Sequence, residues 1–346
     1  MNADFTLISE PFSNTINVGG TEYLYFGGTA YLGLSQNHEF INLYTEGIKK
    51  FGLNNGTSRT NNIQLAIYRE AEQVAAKRFG AEDSLITSSG FLAAQLAVKA
   101  LSPLGKVIYA PATHPALWLA TQPQRLESFS RWKAEIVDEV NKSEEQNWIL
   151  ISNSMNNLFP EIYDFDFLKN VESQKKIILI VDDSHGTGVN NNGLGAFCKL
   201  PKAENIESIV VASMAKALGI DAGMILGSRK IIQQLKNTNV FAGASPPSAA
   251  GLFSFIHGEE IYSEALKKLQ QNITQFRSGL NLTSKFEPEF PAFLFTHSDF
   301  AARLMTKNIL ISSFPYPTPD SEPINRIVLS SWHTEKNILN LLSAIG

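Results

Sequence analysis

Lys216 stands among Ala212, Ser213, Met214, Ala215, Ala217, Leu218 and Gly219, just after the apolar run IVV at 209–211. A lysine normally keeps its ammonium in water. One desolvated among small apolar neighbours has its pKa lowered and becomes a usable amine nucleophile, the group that Schiff-base chemistry requires. Earlier in the chain a second apolar run, IILIV at 177–181, ends on Asp182 and Asp183. A buried carboxylate is costly unless a cation or a strong donor meets it, so something positive should lie close by. A strand-end Asp facing a desolvated Lys suits pyridoxal phosphate: the Lys holds the aldehyde, and the Asp keeps the ring nitrogen protonated and the ring electron-poor. Taken singly, the same residues also read as a salt-bridged Asp and a surface Lys near a turn.

Other residues fall at spacings that would complete such a site. Ser88, Ser89, Gly90 and Phe91 precede a good helix former, LAAQLAVKAL. A strand, a Ser-Gly turn and a helix N-terminus gather free amide groups and the positive end of the helix dipole at one spot. A phosphate would be held there by Gly90, Phe91 and a Ser hydroxyl; the plainer reading is an N-cap. His114 lies in the loop PATHP, and His185 follows Asp182 by three positions. A flat imidazole over a pyridine ring can place it and exchange a proton, whereas a lone loop His is also commonly structural or merely exposed. His185 is within reach of a cofactor oxygen, or else caps a turn.

These residues need a particular frame. The runs at 177–181 and 209–211 read as strands buried on both faces, and in open α/β sheets the carboxyl edge is where ligands sit. Further strands are expected at 84–87, 106–110, 148–152 and over AGMILGS, with a looped or helical crossover between His185 and Lys216, as parallel neighbours require. Helices are expected over 38–51 and from about 62 to 79, where Ile63, Ile67, Ala71, Val74 and Ala75 share a face and Gly80 caps the end. The most regular helix covers 259–280, with Tyr262, Leu266, Leu269, Ile273, Phe276 and Leu280 on one stripe. We expect an N-terminal arm over 1–35, a large domain over 36–258, and a small C-terminal α+β domain over 259–346 that ends in a helix capped by Thr334.

VDDSHGTGV, GLGAF, SMAKALG and AGMILGS resemble the core of the α-oxoamine synthases, the pyridoxal-phosphate family of 8-amino-7-oxononanoate synthase, 2-amino-3-ketobutyrate CoA ligase and serine palmitoyltransferase. The likeness extends, with gaps, from about Tyr31 to Leu342. It implies an α/β chain of the fold-type-I class, with a mostly parallel seven-stranded sheet, acting as a homodimer whose active sites lie at the subunit interface. It also implies condensation of an amino acid with an acyl thioester, with decarboxylation. By the same resemblance Lys216 is anchor and proton shuttle, Asp182 the ring-nitrogen partner, His114 the stacking group, Ser213 the phosphate-bonding hydroxyl, and His185 and Asn157 partners of the cofactor's phenolic oxygen. Ser89, Gly90 and Phe91 form the phosphate loop.

Departures from the family pattern fall on both the cofactor and the substrate side, and the one that matters most for substrate is at Phe314. Thr29 takes the place of an Asn, Ile63 of a Gly, Tyr68 of a His, Ala94 of an Asn, Asn157 of a Ser and Pro160 of a Gly. Gly243 and Ala244 replace the hydroxyl residues that reach the partner's phosphate. In ISSFPYPTP, Phe314 stands where the family has the Arg that grips the amino acid carboxylate. A Phe cannot replace a bidentate cation. Either another cation takes over, with Arg326 and Arg59 as candidates, or the substrate is less anionic at that end. Transamination, decarboxylation or retro-aldol cleavage on the same cofactor is the second hypothesis, and a non-catalytic subunit the third; Lys216 argues against the last, since a scaffold has no need of that amine.

Composition narrows the remainder. A chain of 346 residues with 44% hydrophobic residues can bury a large core. Its net charge of -4 and lack of Lys/Arg clusters give no footprint for nucleic acid. Cys198, the only cysteine, excludes an internal disulfide and a thiolate metal cluster and suits a reducing compartment, and no metal is expected at the site. No apolar run approaches the roughly 20 residues of a membrane helix, and the N-terminus shows no basic-then-apolar leader pattern. A soluble, cytoplasmic protein is the expectation.

Overall fold

A computed structural model of the chain describes residues 5–121, 123, 128–156, 158–280, 284–315 and 320–346. They form two compact units, the larger comprising Asn42–Asn156 and Ile162–Glu259 and the smaller the remainder.

The larger unit is built on a six-stranded sheet in the order Asp83–Thr87, Gly223–Gly227, Ile206–Ser213, Lys176–Asp182, Asn147–Asn153, Lys106–Tyr109. The last four of these pair in parallel, and Gly223–Gly227 runs antiparallel to both its neighbours. The sheet is mostly parallel as expected, with six paired strands among the described residues and not seven. The two apolar runs that flank the acidic pair and the lysine lie at its centre. Ile180, Ile209 and Val211 join Leu85, Ile149, Ile151 and Ile225 in a core covered by Gly90–Leu101. That helix inserts Ala93, Ala94, Ala97 and Val98, small residues that let it settle close to the strands.

Register brings the strand ends together. Asn153 pairs with Asp182, Asp182 with Val211, Ser213 with Gly223, and Gly223 with Thr87. The loops carrying most of the candidate residues therefore leave the sheet along one edge. The crossover between the strands of Asp182 and Lys216 is looped, with one short 3-10 turn at Phe197–Lys199.

The first helix, His38–Phe51, lies where the periodicity places it. The second begins at Ile67, five residues later than expected, and ends on Gly80, whose φ of 72° and amide bond to Ala76 O make the expected cap. The delay has a local cause. Asn61 Oδ1 accepts from the Ile63 amide at 2.9 Å, and Gln64 Nε2 donates to Asn61 O at 2.7 Å. Such side-chain turns compete with helix initiation, and Ile63, counted on the apolar face, is 76% exposed.

The smaller unit has its own six-stranded sheet, in the order Thr15–Val18, Thr21–Phe26, Ile309–Pro315, Pro323–Val328, Ala292–Phe295, Lys285–Phe286. The N-terminal segment is thus woven into this unit: Thr21–Phe26 runs parallel to Ile309–Pro315. The helix Glu259–Gly279 buries Tyr262, Leu269, Ile273 and Phe276, the last packing edge-on against Phe293 at 4.7 Å. The final helix, Glu335–Ile345, is capped by Thr334 in a reciprocal box with Asn337. Among the described residues no helix is long and apolar enough to cross a membrane.

Candidate active site

Lys216 follows the end of the strand Ile206–Ser213 on a tight turn fixed by backbone bonds from Met214 N to Ala222 O (2.9 Å) and Ile220 N to Met214 O (3.2 Å). Its neighbours Met214, Ala217 and Leu218 are fully buried. Burial holds the Lys216 pKa below the usual lysine range, and the nearby Asp182 and Asp183 charges oppose this only in part. The turn is tied to the acidic strand end through one serine. The Ser184 amide donates to Asp182 Oδ1 at 2.9 Å, and Ser184 Oγ accepts from the Ser213 amide at 2.8 Å. Asp182 and the strand end leading to the lysine turn are thereby held in mutual position.

The helix Gly90–Leu101 starts beside this turn. Ser89 is its N-cap, its hydroxyl accepting from the Leu92 amide at 3.1 Å. The cap reading and the anion-site reading therefore both hold locally. One hydroxyl satisfies Leu92, while Gly90 and Phe91 keep their amides at the open helix end, where no intrahelical acceptor exists. Glycine is required here by space. A Cβ on Gly90 would lie 2.5 Å from Ser213 Cβ, and one on Gly223 2.0 Å from Ser89 O. That contact seats the helix end directly on the strand end leading to Lys216. Ser213 Oγ accepts from the Ala215 amide at 3.3 Å, and the Phe91 side chain points outward, 62% exposed.

His114 is placed by a residue that carries no sequence signal. Asn153, buried at the end of its strand, accepts from the His114 amide through Oδ1 (3.0 Å) and donates through Nδ2 to Ala112 O (2.7 Å). Ala112 sits at φ 55°, a left-handed conformation that costs a non-glycine residue energy, so the clamp holds a strained turn. The His114 Nδ1 accepts from the Ala116 amide at 3.2 Å, which leaves the proton of the neutral ring on Nε2. The ring keeps an open side, yet enough of it is covered that desolvation lowers its pKa, with Asp182 opposing and Lys216 reinforcing the shift. Asp182 and Lys216 are thus close enough to bias the ionisation of His114.

The remaining expectations fare variously. His185 is half-buried on the turn after Asp183; Asn157 lies outside the described residues. Arg59 is taken out of contention as a carboxylate grip. Its guanidinium bonds Glu72 Oε1 at 2.8 Å and Ile86 O at 3.1 Å and lies over the rings of Tyr68 and Phe241. Lys236 bonds the other Glu72 oxygen at 3.2 Å, so the trio is a structural ion network. Arg326 is buried beside Tyr31 and forms no ion pair among the described residues. Phe314 is half-buried in its strand opposite Ile324. Gly243 and Ala244 line a cavity of about 530 Å³ with Tyr68 and the loop at 53–58.

The larger unit therefore offers an anion-binding helix end, an amine of lowered proton affinity, a buried carboxylate and an imidazole along one sheet edge. These fit a phosphorylated aromatic aldehyde with a basic ring nitrogen. Residues 21–345 match the model of the family described as aminotransferase class I and II. A putative 8-amino-7-oxononanoate synthase from Methanococcus aeolicus is 30% identical, the alignment covering 94% of this chain and 89% of that one. An 8-amino-7-oxononanoate synthase from Coprothermobacter proteolyticus is 24% identical over 96% and 89% of the two chains. Among solved structures, a serine palmitoyltransferase from Sphingomonas wittichii superposes with a TM-score of 0.80 at 15% identity, covering 98% of this chain and 90% of that one. The 8-amino-7-oxononanoate synthase from Francisella tularensis gives 0.69 at 24% identity, covering 93% and 96%. The chain belongs to the class I and II aminotransferase family, on its α-oxoamine synthase side.

Proposed function

We propose that this family member is a pyridoxal-phosphate enzyme that condenses an amino acid with an acyl thioester, with loss of carbon dioxide, as the 8-amino-7-oxononanoate synthases do. The observation that carries the reading is the Ser184 bridge, which fixes the desolvated Lys216 against Asp182. When bound, the cofactor supplies an aldehyde carbon and an electron-withdrawing ring that stabilises charge on the amino acid's α-carbon.

The chain's own residues supply the rest. Lys216, its proton affinity reduced by burial, anchors the cofactor through its amine and carries a proton at Nζ. Asp182, one oxygen already satisfied by Ser184, uses the other to keep the ring nitrogen protonated. Gly90 and Phe91 amides, with the Ser89 and Ser213 hydroxyls, hold the phosphate on the positive helix end. His114 covers the ring face and offers its Nε2 proton, and His185 and Asn157 take the phenolic oxygen. Phe314 and Thr29 stand where the family grips a carboxylate, so the substrate's acid group is not held in the family's way.

The reading extends to a homodimer with active sites at the subunit interface and to a cytoplasmic setting. The likeness of FAGASPPSAAG to the family segment that reaches the partner's phosphate supports the first, and the lone Cys198 the second. Incubating the purified protein with single amino acids, with and without acyl-CoA, tests the reaction. Free thiol and carbon dioxide should appear only when both substrates are present. The altered carboxylate grip favours a second reading, in which the amino acid is transaminated, decarboxylated or cleaved alone. Amino acid turnover without thioester would establish that reading and overturn the first.

A further inference from the structure

Asp183 has no part in the chemistry proposed above, yet it is buried, 1% exposed, one position beyond the strand that ends on Asp182. Its carboxyl gathers donors from both ends of the loop that follows. Oδ2 accepts from Thr187 Oγ1 at 2.9 Å and from the Ala196 amide at 2.8 Å, and the Ser154 side chain adds a third hydrogen bond. Burial pushes the Asp183 pKa up to about 6 while the three donors hold it down, so the carboxylate form predominates at pH 8. The main chain closes the same turn, the Gly186 and Thr187 amides donating to Asp183 O at 3.1 and 2.9 Å. Two glycines let the loop wrap this carboxyl: a Cβ on Gly186 would lie 2.2 Å from Oδ1, and one on Gly195 2.3 Å from Oδ2. Asn190 Nδ2, donating to Met155 Sδ at 3.7 Å, fastens the loop a second time to the segment that carries Ser154.

The gathered loop meets the lysine turn. Gly188, at φ 83°, packs so closely that a Cβ there would lie 3.0 Å from Ala217 Cβ and 3.2 Å from Leu218 Cδ2. Those are the two residues after Lys216, each 2% exposed. Desolvation is the main cause of the lowered proton affinity of Lys216, and the charge of Asp183 acts against it. We propose that Asp183 is a positioning residue for Lys216: by gathering the loop from Ser184 to Ala196 it buttresses the turn at Ala217 and Leu218 and limits the water that reaches the amine. Its consequence for the reaction rests on the reading of Lys216 as the cofactor anchor. The two ways in which Asp183 acts on the lysine differ in sign. As a charge it favours the ammonium, and as a buttress it favours the free amine. Loosening the loop while keeping the charge must therefore raise the proton affinity of Lys216.

Trace labelling of the cofactor-free full chain with acetic anhydride across pH, read lysine by lysine by mass spectrometry, measures the midpoint at which each amine becomes free. In the parent, Lys216 should react at lower pH than the exposed Lys99. Thr187→Val keeps the Asp183 charge and removes one tie. Its Lys216 midpoint should rise by about one pH unit, about tenfold less free amine at neutral pH, with Lys99 unmoved. Asp183→Ala removes the charge and all three side-chain ties, and the midpoint should rise there too, whereas a residue acting only through its charge would make it fall. Hydrogen exchange at pH 8 should quicken about tenfold over 184–196 in both variants while the strand Ile206–Ser213 stays protected. If Asp183→Ala does not fold, Thr187→Val decides alone. Loop exchange unchanged from the parent, a Lys216 midpoint that stays put in Thr187→Val, or one that falls in Asp183→Ala would overturn the proposal. A parent Lys216 midpoint equal to that of Lys99 would overturn both the proposal and the reading of Lys216 as a desolvated anchor, which separates the two failures.

Discussion

Asn153→Ala removes both hydrogen bonds that strap the His114 loop to the sheet and leaves the strained Ala112 turn without support. The two bonds contribute about 1 kcal/mol each, and the left-handed alanine costs about 1–2 kcal/mol. Without the strap the observed loop is therefore no longer the preferred one. A loss of about 2 kcal/mol lowers its population by a factor of about 30 relative to relaxed alternatives. Two measurements read this out: denaturant unfolding, where the midpoint should fall with an unchanged slope, and titration of the purified variant with pyridoxal phosphate. On the proposed reading, in which the His114 ring covers the cofactor and Lys216 anchors it, affinity should drop while the bound chromophore still forms. Asn153→Asp keeps the acceptor for the His114 amide but sets a carboxylate oxygen against Ala112 O and a second charge beside Asp182, its register partner; a defect at least as large as that of Asn153→Ala is expected. If Asn153→Ala unfolds within about 0.5 kcal/mol of the parent and binds the cofactor equally well, the clamp argument is wrong.

Gly90→Ala would press a methyl into Ser213 and push the helix end off the sheet edge, so cofactor retention during gel filtration should fail while the far-ultraviolet circular dichroism stays near native. Glu72→Ala strands Arg59 and Lys236 as unpaired cations around a buried position; a loss of about 3–5 kcal/mol is expected, and a loss below about 1 kcal/mol would show the network to be dispensable. His333, buried and bonded to Ser330 N and Tyr25 O, has its pKa pushed down to about 4 by burial. The unfolded chain takes up this proton near pH 6.5 and the folded one only near 4. The stability of the neutral ring is therefore complete above about 6.5 and lost as pH falls through that window, by up to about 3 kcal/mol. In His333→Gln, denaturant midpoints at pH 7 and pH 5 should differ by correspondingly less than in the parent.

Much of the frame is legible from local pattern. Uninterrupted apolar runs gave the central strands because a strand covered on both faces leaves no room for alternation, and Ser89, Gly80 and Thr334 mark helix ends through chemistry that acts within a turn. Lys216 and Asp182 stand out for a related reason: each residue type is anomalous in its own surroundings. What escapes is long-range or competitive. Asn153 looks like any polar residue ending a strand, and only register opposite Asp182 makes it a clamp. The late start of the second helix follows from the Asn61 turn outcompeting an apolar face that Ile63 only appears to continue on a helical wheel. Arg59 looks available until the fold brings Glu72 and Ile86 to it. The N-terminal strands give no hint that their neighbour lies near residue 310.

The central claim is that Lys216, held dry against Asp182, forms the covalent attachment to the cofactor. Purified protein saturated with pyridoxal phosphate, reduced with borohydride, digested and weighed by mass spectrometry tests it directly. The account predicts a visible absorption band that borohydride bleaches and a reduced pyridoxyl adduct on residue 216, both absent in Lys216→Ala. A colourless protein, or an adduct distributed over other lysines and retained in Lys216→Ala, would contradict it.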